Sequence, residues 1–166
     1  RLPWLVLALF GGFISVHVLG IFEPVMKFHP ELFFFTPLIA AMAGNVGVQS
    51  SAIIVQGLAN NTIIGPVVER LLKELSLSLL NGVILSIILL AGSYFLLGYE
   101  IHVGYTVSIA LLSVIIMASL IGTFIPIILN KYGVDPALAT GPFITTSNDI
   151  LGILTYFTIA KIILGI

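Results

Sequence analysis

The sequence predicts an all-α membrane protein with five transmembrane helices, and three observations lead to that fold class. Hydrophobic residues make up 59% of the 166 residues and charged residues only 8%, whereas an ordinary soluble domain carries roughly 25% charged residues. The mean hydropathy is +1.23. The apolar residues also form stretches long enough to cross a bilayer, which takes about 20 residues. Most of the surface is therefore expected to face lipid.

Five apolar stretches follow one another with short polar breaks between them. The predicted spans are residues 3–22, 32–59, 75–97, 106–129 and 137–164. The breaks are residues 23–31, 60–74, 98–105 and 130–136, and each contains Gly, Pro, Asn or charge, as chain reversals need. Five spans fit one compact helical unit, so residues 1–166 are predicted to form a single transmembrane domain.

The first stretch is predicted to be a span rather than a signal peptide. Its apolar run from Trp4 to Phe22 is longer than the core of a signal peptide, and it lacks a small-x-small cleavage site. The third span is preceded by residues 67–75, whose apolar positions recur at helical spacing beside a charged face. This segment is either a helix along the membrane surface or the solvated start of the span.

The distribution of basic residues predicts a multi-pass protein of the cell membrane with a cytoplasmic N-terminus. In that orientation Arg1, Arg70, Lys73 and Lys131 are cytoplasmic, and Lys27 and Lys161 lie outside. Basic residues concentrate on the cytoplasmic side of membrane proteins. The net charge of −1 gives no reason to expect a nucleic-acid partner. The absence of cysteine excludes disulfides and Cys-ligated zinc.

The second span carries amide side chains at its centre. Asn45, Gln49 and Gln56 recur at helical spacing and share one face. Pro37 and Gly44 are predicted to loosen the helix and free backbone carbonyls for a cation. Unpaired amides are unfavourable in hydrocarbon, so this face must meet protein or water. The amides either join neighbouring helices by hydrogen bonds or contribute to a cation site.

Asp149 is the main candidate for ion binding. It lies in the middle of the fifth predicted span, with no Lys or Arg within ten positions on either side. An ionised carboxylate at that depth costs at least about 2.5–3.5 kcal/mol. Thr145 and Tyr156 are predicted on the same helical face. The carboxylate either binds a cation in a water-filled path or is protonated and hydrogen-bonded to another helix. No zinc, P-loop or hydrolase motif is present, so no enzyme activity is predicted.

Three segments of the sequence resemble one known family. They are PLIAAMAGNVGVQSSAIIVQGLA (residues 37–59), ERLLKELSLSLLNG (residues 69–82) and GTFIPIILNKYGVDPALATGPFITTSNDILG (residues 122–152). Their order and spacing closely resemble the transmembrane domain of MgtE magnesium transporters over nearly the whole chain. The resemblance implies a homodimer with two-fold symmetry, whose pore is lined by spans two and five of both subunits. It also implies that Asp149 matches the ion-selecting residue of the family.

The sequence departs from the family pattern in two respects. MgtE proteins usually carry a cytoplasmic N-terminal domain and paired CBS modules, and the sequence holds neither regulatory region. Thr145, one turn before the aspartate, stands where a smaller residue such as alanine is expected. The second departure affects the fine selectivity that the resemblance implies.

The residues and the resemblance together predict a pore or channel for a hydrated Mg²⁺ ion. Two Asp149 carboxylates would attract the ion, and oxygen atoms of Asn45, Gln49 and Thr145 and of the backbone near Gly44 would contact its waters, because Mg²⁺ gives up its waters reluctantly. Two other functions stay open. One is an ion-coupled exchanger for a divalent ion such as Mn²⁺, Co²⁺ or Ca²⁺, and the other is a non-transporting membrane assembly module.

Overall fold

A computed structural model describes residues 2–63, 65–137 and 141–165, apart from the side chains of Trp4 and Pro142. Six α-helices are described and no strand occurs within these ranges. They are α1 (Leu2–Ile21), α2 (Glu23–Phe28), α3 (Glu31–Ala59), α4 (Val67–Phe95), α5 (Ile101–Lys131) and α6 (Pro142–Leu164). The all-α fold class is therefore confirmed. Arg1, which entered the charge argument, and residues 138–140 of the fifth predicted span lie outside the described residues.

Four of the described helices, α3 to α6, have the length and apolar composition of membrane spans. They coincide with predicted spans two to five. The remaining long helix, α1, has 20 residues and is therefore about 30 Å long, but its described apolar stretch is the shorter segment Leu5–Ile21. The use of α1 as a fifth span stays a prediction.

The start of α4 decides between the two interpretations of residues 67–75. The helix is continuous from Val67 to Phe95, so this segment is the beginning of the third span and not a separate surface helix. Glu69 and Lys73 form an exposed ion pair of 2.8 Å one turn apart, which suits the solvated end of a helix. The span begins about two turns earlier than the predicted boundary at residue 75 because these charged residues are inside the helix.

Helix α5 occupies the centre of the domain. It packs against α3, α4 and α6, while α3 also contacts α6, and α1 contacts α6 from the other side. The buried core contains Val107, Val114 and Ala118 of α5 together with Ile39 of α3 and Phe157 of α6. Helix α4 packs mainly against α5, also contacts α3 through a hydrogen bond between Ser50 and Glu74, and leaves most of its surface exposed. The arrangement places α3 and α6 side by side at one edge of the domain.

Glycines bring α3 unusually close to its neighbours. A Cβ atom added to Gly122 of α5 would lie 2.4 Å from the carbonyl oxygen of Gly47 on α3. A Cβ atom added to Gly47 would lie 1.7 Å from Nδ2 of Asn148 on α6. The centre of α3 is therefore fixed between α5 and α6 by backbone contact that larger residues would prevent. The α-helix is continuous from Glu31 to Ala59, with Pro37 inside it, so the predicted loosening near Pro37 and Gly44 does not interrupt the helix; the freeing of backbone carbonyls there stays a prediction.

Candidate functional site

A polar groove lies between α3 and α6. Its volume is about 470 Å³, and it is lined by Ala40, Ala41, Gly44, Asn45, Val48, Gln49, Thr145 and Asp149. All five residues predicted to form an ion site line this one groove. We call it the α3–α6 groove. Sequence periodicity placed these residues on two separate helix faces, and the fold brings the two faces together.

The α3 side of the groove presents two amides. Asn45 and Gln49 are one turn apart on the exposed face of α3, as the spacing of four residues requires. Gly44 lies next to the carboxylate, since a Cβ atom at that position would be in ordinary van der Waals contact, at 3.8 Å, with Oδ1 of Asp149. Neither amide side chain forms a hydrogen bond with another described residue. The amides are therefore available to a ligand or to water.

The α6 side of the groove presents Thr145 and Asp149, also one turn apart. Asp149 is half-buried, and no described residue forms an ion pair or a hydrogen bond with its carboxylate. A carboxylate surrounded by apolar helices without a partner is energetically unfavourable. A cation in the groove would stabilise this carboxylate, so the ion-site prediction stays a prediction that this geometry allows.

The depth of Asp149 follows from its neighbours on α3. It lies only about two turns after the start of α6, which is nearer to that helix end than predicted. The two helices run in opposite directions, because Gly152 packs on Ala43 whereas Asn148 packs on Gly47. Asp149 is consequently level with Gly44, close to the middle of α3. Asp149 therefore lies at the depth of the middle of α3, although it is near the start of its own helix, α6.

One residue of the predicted polar face does not reach the groove. Tyr156 is fully buried, and its hydroxyl donates a hydrogen bond of 2.8 Å to the carbonyl oxygen of Leu32. The prediction that Tyr156 continues the polar face of Asp149 is wrong, because α3 covers α6 at the level of Leu32. Its hydroxyl satisfies a backbone carbonyl at the first turn of α3 and joins the two helices.

Two polar residues with clear structural roles were not singled out from the sequence. Asn148 is fully buried, and neither side-chain polar atom has a hydrogen-bond partner among the described residues. Glu74 of α4 accepts hydrogen bonds from the hydroxyls of Ser50 on α3, at 2.7 Å, and of Ser119 on α5. An amide or a carboxylate inside a continuous apolar helix is the signal that could have identified both residues. Glu74 was instead assigned to a polar break.

The all-α fold with four apolar helices of span length among the described residues is that of a membrane domain. A family model described as "MgtE: Divalent cation transporter" matches residues 36–159, and the chain belongs to this family. It is a family of transporters and not of enzymes.

Three curated relatives match almost the whole chain, and each has the name "Magnesium transporter MgtE". The relative from Bacillus subtilis is 41% identical over 161 residues, which are 96% of this chain. Those from Enterococcus faecalis and Thermus thermophilus are 36% and 33% identical, over 97% and 99% of this chain. The chain spans 36% of the length of each relative.

Proposed function

We propose that this chain is the membrane-embedded pore domain of a divalent-cation transporter that carries Mg²⁺. The observation that carries the proposal is the unpaired carboxylate of Asp149 in a groove that also contains Asn45 and Gln49. The names of the relatives, which are 33–41% identical, support Mg²⁺ as the transported ion. In this proposal Asp149 is the ion-selecting residue.

The exposure of the groove supports a two-fold dimer. Asn45 and Gln49 are exposed on the surface of one chain, at the middle of a helix that has the composition of a membrane span. Lipid cannot satisfy amides or a carboxylate at that depth. Two copies that face each other through α3 and α6 would remove these groups from lipid and enclose a polar path between them. Each copy would then contribute one Asp149 to a shared pore.

The ligand set fits a hydrated ion better than a dehydrated one. Mg²⁺ prefers six oxygen ligands at about 2.0–2.1 Å and keeps several waters. The described residues contain no cluster of three or more His, Cys, Asp or Glu side chains that could hold a metal ion. Two carboxylates would attract the ion by charge, while Asn45, Gln49 and Thr145 and the backbone near Gly44 would accept hydrogen bonds from its waters. Selectivity would then depend on the size and charge of the hydrated ion.

The proposed topology has five spans, of which α1 is the first. In this topology the protein lies in the plasma membrane and its N-terminus is in the cytoplasm. Arg70, Lys73 and Lys131 line one cavity at the α4 start and the α5 end, which supports their assignment to one membrane side. Lys27 and Lys161 occur near the opposite helix ends. The positive-inside rule then favours the cytoplasm for the first group.

Ion flux in reconstituted vesicles tests the proposed function. Purified protein in proteoliposomes with an internal Mg²⁺ indicator should admit Mg²⁺ down its gradient, whether or not a proton or sodium gradient is present. Flux that requires one of those gradients would show an exchanger, and faster flux of Mn²⁺, Co²⁺ or Ca²⁺ would replace Mg²⁺ as the principal cargo. Vesicles that admit no divalent cation above protein-free controls would show a membrane assembly module and contradict the proposal.

A further inference from the structure

A second cavity, distant in sequence from Asp149, is rich in positive charge. It lies where α3 ends, α4 begins and α5 ends, and its volume is about 450 Å³. Arg70, Lys73 and Lys131 line it, which are half of the six Lys and Arg residues in the sequence. Glu69 is the acidic residue of its lining. We call it the basic cavity.

The positive charge of the basic cavity is only partly compensated. Lys73 donates a hydrogen bond of 2.8 Å to Glu69, so these two charges neutralise each other. Arg70 and Lys131 have no ion-pair partner among the described residues. The Nε atom of Arg70 is buried and lacks a hydrogen-bond partner in the same part of the chain. Two cations and the amide of Asn130 are thus available to an anion.

We propose that the basic cavity binds the phosphate of an anionic phospholipid. A guanidinium can bind two phosphate oxygens at once, and an ammonium adds a point charge. Basic cavities between membrane helices are suited to anionic headgroups. The cavity lies at the ends of three helices of span length, α3, α4 and α5, where the headgroups of a membrane lie, so a lipid is favoured over free phosphate. The proposal is independent of the transported ion.

Lipid binding by native mass spectrometry tests the site. Delipidated protein in detergent should retain phosphatidylglycerol in preference to phosphatidylcholine. The double variant Arg70→Gln/Lys131→Gln should bind phosphatidylglycerol about thirtyfold more weakly, since each basic residue near an anionic surface contributes about fivefold. Arg70→Lys keeps the charge and should retain most of the preference. Lys161→Gln removes an exposed charge from the end of α6 and should leave it unchanged.

Competition separates a lipid from a free phosphate. Inorganic phosphate at the same concentration should not displace the lipid. Equal retention of the two lipids, an equal loss in Lys161→Gln, or displacement by inorganic phosphate would each overturn the proposal.

Discussion

Two carboxylates, those of Glu74 and Asp149, lie about two turns inside span-length helices of this domain, and their surroundings differ. Glu74 on α4 accepts hydrogen bonds from two hydroxyls, those of Ser50 and Ser119, and so joins α3, α4 and α5. Asp149 on α6 has no such donor among the described residues and lies in an open polar groove. A charge in an apolar environment is tolerated when it is satisfied by hydrogen bonds or when a ligand completes it. Glu74 fits the first case, and our proposal assigns Asp149 to the second.

The comparison shows that an acidic residue in a membrane helix does not by itself identify an ion site. Both residues are at least about two turns inside their helices. The hydrogen-bond partners separate them, because Glu74 uses its oxygens to hold the helices together. The carboxylate of Asp149 instead lines the α3–α6 groove without a hydrogen-bond donor among the described residues. The predictions below separate these two roles experimentally.

The largest expected effect is the loss of flux in Asp149→Asn. The amide keeps the volume of the side chain but removes the charge that would attract a divalent cation, so Mg²⁺ flux in vesicles should fall by at least about tenfold, a change of about 1.4 kcal/mol. Glu74→Gln is the matched control, because it also replaces a carboxylate by an amide. It should keep most of the flux and lower the stability by about 1–2 kcal/mol, through weaker hydrogen bonds from Ser50 and Ser119. Both effects can be measured on the same preparations, by flux and by thermal unfolding in detergent.

The proposed dimer can be examined by cross-linking, since the sequence contains no cysteine. A single cysteine at Gln49, on the exposed face of α3, should form an intersubunit disulfide in oxidised membranes. A single cysteine at Ile87, which is 61% exposed on α4, should remain monomeric. The opposite pattern would place the dimer interface on α4 and leave the α3–α6 groove outside it.

The close packing of α3 against α5 can be tested without changing any charge. Gly122→Ala places a Cβ atom 2.4 Å from the carbonyl oxygen of Gly47 and should destabilise the domain by about 1–3 kcal/mol. Gly92→Ala is the control, because no atom lies within 4 Å of its added Cβ atom. It should stabilise α4 by up to about 1 kcal/mol through helix propensity. Equal unfolding temperatures for the two variants would contradict the close contact of α3 and α5.

The smallest expected effect is that of Glu23→Gln. Glu23 and Lys27 form an exposed ion pair of 2.8 Å on α2, and this contact keeps the pKa of the Glu23 carboxyl below its usual value. The pair is far from the α3–α6 groove in sequence, and exposed charges are screened by salt. Mg²⁺ flux should therefore change by less than about twofold and only at low ionic strength. A larger loss of flux, similar to that of Asp149→Asn, would indicate that the ion-selecting charge is Glu23, at the mouth of the path.

Much of the fold and of the candidate site was predictable from periodicity and hydropathy. Four predicted spans coincide with α3 to α6, and helical spacing correctly paired Asn45 with Gln49 and Thr145 with Asp149. Periodicity describes the faces of one helix, however, and does not show which neighbour covers each face. For that reason it placed Tyr156 beside Asp149, although α3 covers that hydroxyl at Leu32.

The hydrogen-bond partners of Glu74 could not be predicted from the sequence for a similar reason. Ser50 and Ser119 are 24 and 45 residues away from Glu74 in sequence, so their contact depends on the packing of three helices. The charged residues at the start of α4 also masked the beginning of that span, because hydropathy falls wherever a helix carries a solvated turn. The packing of Gly47 on Gly122 and Asn148 likewise follows from tertiary structure and has no local signature.

Equilibrium binding of Mg²⁺ to the purified protein tests most directly whether Asp149 is the ion-selecting carboxylate. Isothermal titration calorimetry would compare the parent protein with Asp149→Asn and Glu74→Gln under identical detergent and salt conditions. We predict that the parent and Glu74→Gln bind Mg²⁺ with similar affinity and that Asp149→Asn binds at least about tenfold more weakly. Parent-like affinity in Asp149→Asn, together with its loss in Glu74→Gln, would contradict the assignment and place the ion at the carboxylate that joins the helices.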